Sequence, residues 1–529
     1  MADSGTQMKR RDLLALVGAA AGSAVMYQVM TSLGHAAESD YRGPPKLDGD
    51  VKGSSVLILG AGLAGLVAAI ELRRAGYEVQ LLEYSGRAGG RCWTLRGGDR
   101  YTELGGFTQS CGFDRGLYLN PGPWRIPFHH RALLDYCRRF KVGLEPFIQV
   151  NHNAFLHAKD AFGGKPVRYR HVQADLTGAV AELLAKAADK GKLDDAVSQE
   201  DKEILLEALR AWGALDKDYS YTAGEDASDR RGWDVEPGGG LSGEPKPSTP
   251  ISPHDILKSR LWQGVAANTR YEFQPTMFQP VGGMDMIAKA LEREVHDRIR
   301  YHAKVVAILQ DNSRVTVTYR DAKGAAQTAS ADWCLCTIPL SILSQLEMNV
   351  SPAMAAAIAS VPYMPALKVG LQFKRRFWEE DEAIYGGITT TDLPIRNIGY
   401  PCSNYGSPGK GVLLGAYAIF NSYAWEFGAL PPAERVAKAL EWGAAIHPQY
   451  KQEFDNGIAV AWQRNPASLG CFGNWSDKDR AKHYKNLCAI DGRIALAGEH
   501  ASYLPAWQEG AVLSALDAVT RLHQRVVGG

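Results

Sequence analysis

Gly60, Gly62 and Gly65 stand in G-x-G-x-x-G spacing, with Ala64 between the last two. The first glycine of such a turn permits a tight reversal. The second lets backbone N–H groups approach a pyrophosphate, and the third lets a following helix pack close to the preceding strand. Further on, Glu83 stands where an acid accepts hydrogen bonds from ribose hydroxyls and repels a 2′-phosphate, which argues against NADP. Arg87, Gly89, Gly90 and Arg91 follow; a planar guanidinium beside glycines can place donors against phosphate or a cofactor ring. By spacing alone, a solvated basic turn explains that last stretch equally well.

Such a turn works only between a strand and a helix. Val56 to Leu59 is a fully apolar run of strand length, as a buried parallel strand requires, and Leu63 to Arg74 has helical periodicity ending before Gly76. Glu78 to Leu82 predicts the second strand, which delivers Glu83. Strand, turn, helix, strand and acid in that order favour dinucleotide binding over a chance glycine loop.

The 529 residues are 45% hydrophobic and 22% charged, ordinary globular composition with room for about three domains. With 59 Lys+Arg against 58 Asp+Glu there is no electrostatic case for a nucleic-acid partner, so a small molecule is expected. Eight scattered cysteines without C-x-x-C pairs predict buried thiols and no metal site. At the amino terminus MKRRDLLAL (Met8 to Leu16), an uncharged Leu13–Met26 run and small residues Gly34 and Ala36 predict a twin-arginine-type signal peptide over 1–36. Export to a bacterial periplasm or beyond is the expectation. The alternatives are an uncleaved anchor or a cytoplasmic chain, and the mature chain is expected to have no membrane span.

From Glu83 to Arg91 the pattern E-x-x-x-R-x-G-G-R resembles the flavin-dependent amine oxidase family, which implies FAD. Distant segments agree from about Val51 to the end of the chain. MFQPVGGMDMIAKA (Met277 to Ala290) is similar to a family segment, and Val305 resembles the valine whose backbone meets adenine. GRIALAGE (Gly492 to Glu499) resembles the strand leading to ribityl and phosphate contacts at Gly498 and Glu499. Within the family the chain most resembles L-amino-acid oxidases. YLNPGPWRIP (Tyr118 to Pro127) and GVLLGAYA (Gly411 to Ala418) imply that Arg125 and Tyr417 grip a substrate carboxylate. An arginine fork plus a phenol can hold one carboxylate in a single orientation. Without the resemblance, Arg125 reads as a surface or interdomain ion pair and Tyr417 as core.

Lys368 lies in an apolar stretch of period two, so it would project from a strand, where a lysine normally meets solvent. The resemblance instead places it under the flavin, holding a water near N5. Trp507, with Ala506 beside it, matches an aromatic wall facing the isoalloxazine, and Trp462 matches a family tryptophan near the flavin. Cys471 is spaced from Trp462 as in oxidases that bind FAD through a cysteine thioether, but Phe472-Gly473-Asn474 departs from their pattern. Non-covalent FAD is therefore expected, with a thioether at Cys471 as the lesser alternative.

The resemblance implies an α/β and α+β multidomain chain with three parts. A discontinuous Rossmann-like FAD-binding domain would use 50–108, 275–340 and 486–529, and a mixed-sheet substrate domain 109–165 and 341–485. Residues 166–274 would be helical, with Asp201 to Trp212 one clear helix and a Gly/Pro-rich irregular loop over 232–253. The implied activity is oxidative deamination of L-amino acids to 2-oxo acids, ammonia and hydrogen peroxide, with dioxygen as second substrate. An oxidase for monoamines or polyamines lacking a carboxylate is the alternative, and a flavoprotein without turnover a more distant one. Family likeness also makes a homodimer one assembly to expect.

Overall fold

The computed structural model describes residues 41–192, 198–420 and 422–528, so the segment read as an export signal lies outside the described residues. No helix among them is long and apolar enough to cross a membrane.

Strand β1 (Ser55–Leu59), helix α1 (Leu63–Arg74) and strand β2 (Glu78–Leu82) form the strand, helix and strand read from the sequence. β1 is central in a five-stranded, wholly parallel sheet; β2 and Ile299–Arg300 lie on one side, Trp333–Cys336 and Ile494–Leu496 on the other. A parallel sheet covered on both faces needs continuous apolar strands, and β1 has four consecutive buried residues. α1 is buried from Leu63 to Leu72 because helices cover it too. Among them are α2 (Arg131–Arg139), whose Tyr136 hydroxyl donates to Glu71 at 2.6 Å, and the C-terminal helix α3 (Gln508–Val527), which shares the same apolar core.

A mixed seven-stranded sheet forms the second layer system, with β3 (Ala366–Phe373) between β4 (Gly411–Ile419) and Phe454–Ala461. β3 is buried along its whole length. Leu367, Val369, Leu371 and Phe373 face an apolar cluster with Trp378 and Tyr450. The opposite face, where period-two reasoning put solvent, is covered by residues 119–122: a Cβ on Gly370 would stand 3.0 Å from Leu119. Lys368 is therefore 2% exposed.

Residues 169–265 carry helices Tyr169–Asp189, Gln199–Gly213, Glu225–Arg231, Pro253–Ser259 and Trp262–Val265. The stretch expected to be irregular over 232–253 is less so than its glycines and prolines suggest. Trp233–Val235 pairs with Lys246–Pro247 as a short antiparallel ribbon, docked by the buried Arg231–Asp175 ion pair at 2.9 Å. A bulge at Trp233/Val235 absorbs the mismatch, which a tally of helix breakers cannot reveal.

Candidate active site

One cavity of about 1900 Å³ runs from the glycine turn to the seven-stranded sheet. Ordinary ligand pockets span about 300–1,000 Å³, so this one has room for a dinucleotide and a second small molecule. At its first end, Gly60 takes φ +99°, and a Cβ there would lie 2.7 Å from the Thr337 hydroxyl. At Gly65 a Cβ would lie 2.0 Å from the Gly60 carbonyl. At Gly62 a Cβ would meet nothing within 4 Å, because the space before it is the cavity. Gly62 is also the N-cap of α1 and offers no capping side chain, so the first N–H groups of the helix are left for an anion.

Charged side chains at this end are already partnered. Glu83 accepts N–H groups from Ala61 and Ser85, each at 2.7 Å, which leaves its remaining lone pairs for ribose hydroxyls. Burial pushes its pKa up, against those two donors. Arg87 stacks 4.6 Å over Trp93 and donates to the Gly90 carbonyl at 2.9 Å. Arg91 donates to Glu499 at 2.8 Å and to the Cys471 carbonyl at 2.7 Å. Burial opposes the Arg91 charge, but the Glu499 carboxylate outweighs it and the pKa rises. Glu499 also accepts from Gly473 and Ala506, both at 3.2 Å, so it joins Arg91 to the Ala506–Trp507 wall.

The far end is different. Lys368 and Tyr417 are cross-strand partners on β3 and β4, and the ammonium lies 4.6 Å from the phenol ring centre. Lys368 donates to the Gly122 carbonyl at 2.5 Å and the Asn120 carbonyl at 3.2 Å; two of its three protons are thereby held, and the third is free for a water or ligand. Burial lowers its pKa to about 7, and the nearby Arg125 acts in the same direction. Burial likewise raises the Tyr417 phenol to about 12 and the Cys471 thiol to about 11. Both are thus neutral at pH 7.

Arg125 directly precedes the short strand Ile126–Pro127, which pairs with Met277–Pro280. Its guanidinium packs among aromatic rings: Phe273 at 4.6 Å, Trp124 at 5.3 Å and Trp507 at 6.0 Å. Its Nε is buried without a hydrogen-bond partner, and no carboxylate among the described residues pairs with it. Burial lowers its pKa to about 10, so it remains charged. A buried cation without a counter-charge is costly to hold, and it points to a ligand that supplies one.

The cavity gathers Gly60, Gly62, Ala64, Glu83, Arg87, Gly89, Gly90, Arg91, Val305, Gly498 and Glu499 at one end. Arg125, Lys368, Tyr417, Trp462, Cys471, Ala506 and Trp507 line it as well. Gly65 is the exception, since it faces the Gly60 carbonyl and serves packing. Trp462 donates to the Pro121 carbonyl at 2.7 Å and meets Trp93 edge-on. Cys471, read from sequence as an ordinary buried thiol, is only partly buried and lines the cavity. Sequence reasoning missed Trp124, Phe273 and Asn120. Asn120 links this end to the Met277–Ala290 segment, its side-chain oxygen accepting from Met284 N–H at 3.0 Å while its carbonyl holds Lys368. Phe273 comes from a segment whose spacing carries no signal.

A parallel sheet with a glycine turn, opening into a cavity floored by a second sheet, defines a dinucleotide-dependent oxidoreductase of the flavin type. Residues 63–523 match the family of flavin containing amine oxidoreductases, and the chain belongs to that family. It is 28% identical over 474 residues to YobN of Bacillus subtilis (strain 168), provisionally named an L-amino-acid oxidase, covering 87% of this chain and 93% of that one. It is also 28% identical to the L-amino-acid oxidase of Vipera ammodytes ammodytes, over 88% of this chain and 91% of that one. Two solved structures share the fold. Cyclohexylamine oxidase from Brevibacterium oxydans IH-35A has a TM-score of 0.59 at 15% identity, over 89% of this chain and 99% of that one. Putrescine oxidase with putrescine bound has 0.57 at 16%, over 90% and 99%. The bare glycine cradle, the uncapped helix start and the partnered Arg87, Arg91 and Glu499 fit FAD.

Proposed function

We propose that the protein is an L-amino-acid oxidase that binds FAD non-covalently. The observation that carries this reading is Arg125, a guanidinium in the cavity wall that packs among aromatic rings and that no carboxylate among the described residues pairs with. A substrate carboxylate supplies the missing counter-charge, and an amine without one does not. The relatives named L-amino-acid oxidase support the same reading. Bound FAD supplies the acceptor for the two electrons and the hydrogen that leave the amine-bearing carbon, and dioxygen restores it. The chain's own groups do the rest. Arg125 and the Tyr417 hydroxyl hold the carboxylate and so fix the direction of the Cα–H bond. Lys368, held by two carbonyls, keeps a water in place, and Trp462, Trp507 and Phe273 exclude bulk water. The neutral Cys471 thiol, with a pKa near 11, is a poor nucleophile, in keeping with non-covalent FAD.

Peroxide release measured over the proteinogenic L- and D-amino acids, benzylamine and putrescine tests this. Turnover confined to L-amino acids is expected. Turnover of benzylamine or putrescine without any amino acid would overturn it in favour of a carboxylate-free amine.

A further inference from the structure

Glu509 is wholly buried, and none of the chemistry above uses it. It is the second residue of α3, yet its carboxylate caps another helix: it accepts the N–H groups of Ala132 at 2.9 Å and Leu133 at 2.7 Å, in the first turn of α2. The N-cap residue of α2, His130, offers no side-chain cap of its own. The residues just ahead of each helix meet, with the His130 and Trp507 rings edge-on at 4.9 Å. Arg125 lies five residues before His130 in the sequence and 6.0 Å from the Trp507 ring.

We propose that Glu509 is a positioning residue, pinning the start of α2 to the start of α3 so that Arg125 and Trp507 face one another across the substrate site. This rests on the amino-acid-oxidase reading. A carboxylate accepting two N–H groups is a directional clamp, charge-assisted to the extent that it is ionised, since burial pushes the Glu509 pKa up to about 7. Both chain segments leave the clamp directly toward the cavity, Trp507 two residues before Glu509, and Arg125 by way of Ile126–Pro127. Deeper along α2, Tyr136 and Arg139 are held by Glu71 of α1, so the body of the helix is anchored without Glu509. The contacts of Glu509 are at the end of α2 nearest Arg125.

The test is Glu509→Gln in the holoenzyme, which keeps the side chain's shape but turns an NH2 toward one of the two N–H donors. With the best L-amino acid substrate, KM is expected to rise about tenfold, one lost charge-assisted hydrogen bond. Under the proposal kcat and the FAD content stay near the parent's. Should that variant not fold, Glu509→Asp, whose shorter arm reaches one N–H, is expected to raise KM in the same way. A purely structural carboxylate would lower the melting temperature and FAD content with KM unchanged, and that result overturns the proposal. If the parent turns over no L-amino acid, the underlying reading falls and this inference with it; turnover with unchanged KM in the variants sinks the positioning role alone.

Discussion

The two ends of the cavity treat charge in opposite ways. Around the glycine turn, Glu83 is satisfied by two backbone donors, Arg87 by a carbonyl and an indole face, and Arg91 by Glu499. Around Arg125 and Lys368, two basic groups share a wall of aromatic rings, with carbonyls for one and, among the described residues, no carboxylate for the other. The first end is a finished cradle, which binds by shape and backbone dipoles. The second holds unbalanced charge, which lowers stability and keeps binding energy in reserve for an anionic group.

The cradle is the easier end to break. Gly65→Val forces a side chain onto the Gly60 carbonyl, and the purified protein is expected to be colourless, with activity below about 1% of the parent's. Visible absorption checks this; a yellow, active Gly65→Val protein would mean that the helix start is not the phosphate cradle. Arg125→Met should raise KM for L-amino acids by about 100- to 1,000-fold, the worth of a charge-assisted bidentate pair. Because an unpaired buried charge is removed, the melting temperature of the substrate-free variant should hold or rise. A clear fall would show that Arg125 has a structural partner and would erase the contrast between the ends.

Lys368 gives the smallest effect. Its folded pKa, about 7, lies below the ordinary lysine value of 10.5. Between those values the unfolded chain binds a proton that the folded protein has released, so this group's contribution to stability grows as pH rises through that window. Between pH 6 and 9 the parent's melting temperature should rise by about 2 °C more than that of Lys368→Met, when both are measured without substrate. Equal slopes would mean that the ammonium is not desolvated.

Much of the nucleotide end was readable along the chain because its parts are local. β1, the turn, α1, β2 and Glu83 fall within residues 55–83, and short-range periodicity and glycine spacing suffice there. The substrate end is built from separated segments around 120–125, 273, 368, 417 and 507. Family likeness pointed to Arg125, Lys368, Tyr417 and Trp507, but not to Phe273, Asn120 or Glu509. The burial of Lys368 was equally invisible, since what covers that face of β3 is a loop from residues 119–122.

Residue order alone settled the apolar strand, the glycines where a Cβ cannot fit and the acid that follows, since each is a matter of neighbours a few positions apart. Tertiary packing decided which charges are balanced: Arg91 finds Glu499 across 408 positions, and Arg125 packs among rings with no carboxylate partner among the described residues. The worth of a buried charge depends on the partner that the fold brings to it, and sequence separation carries no information about that partner.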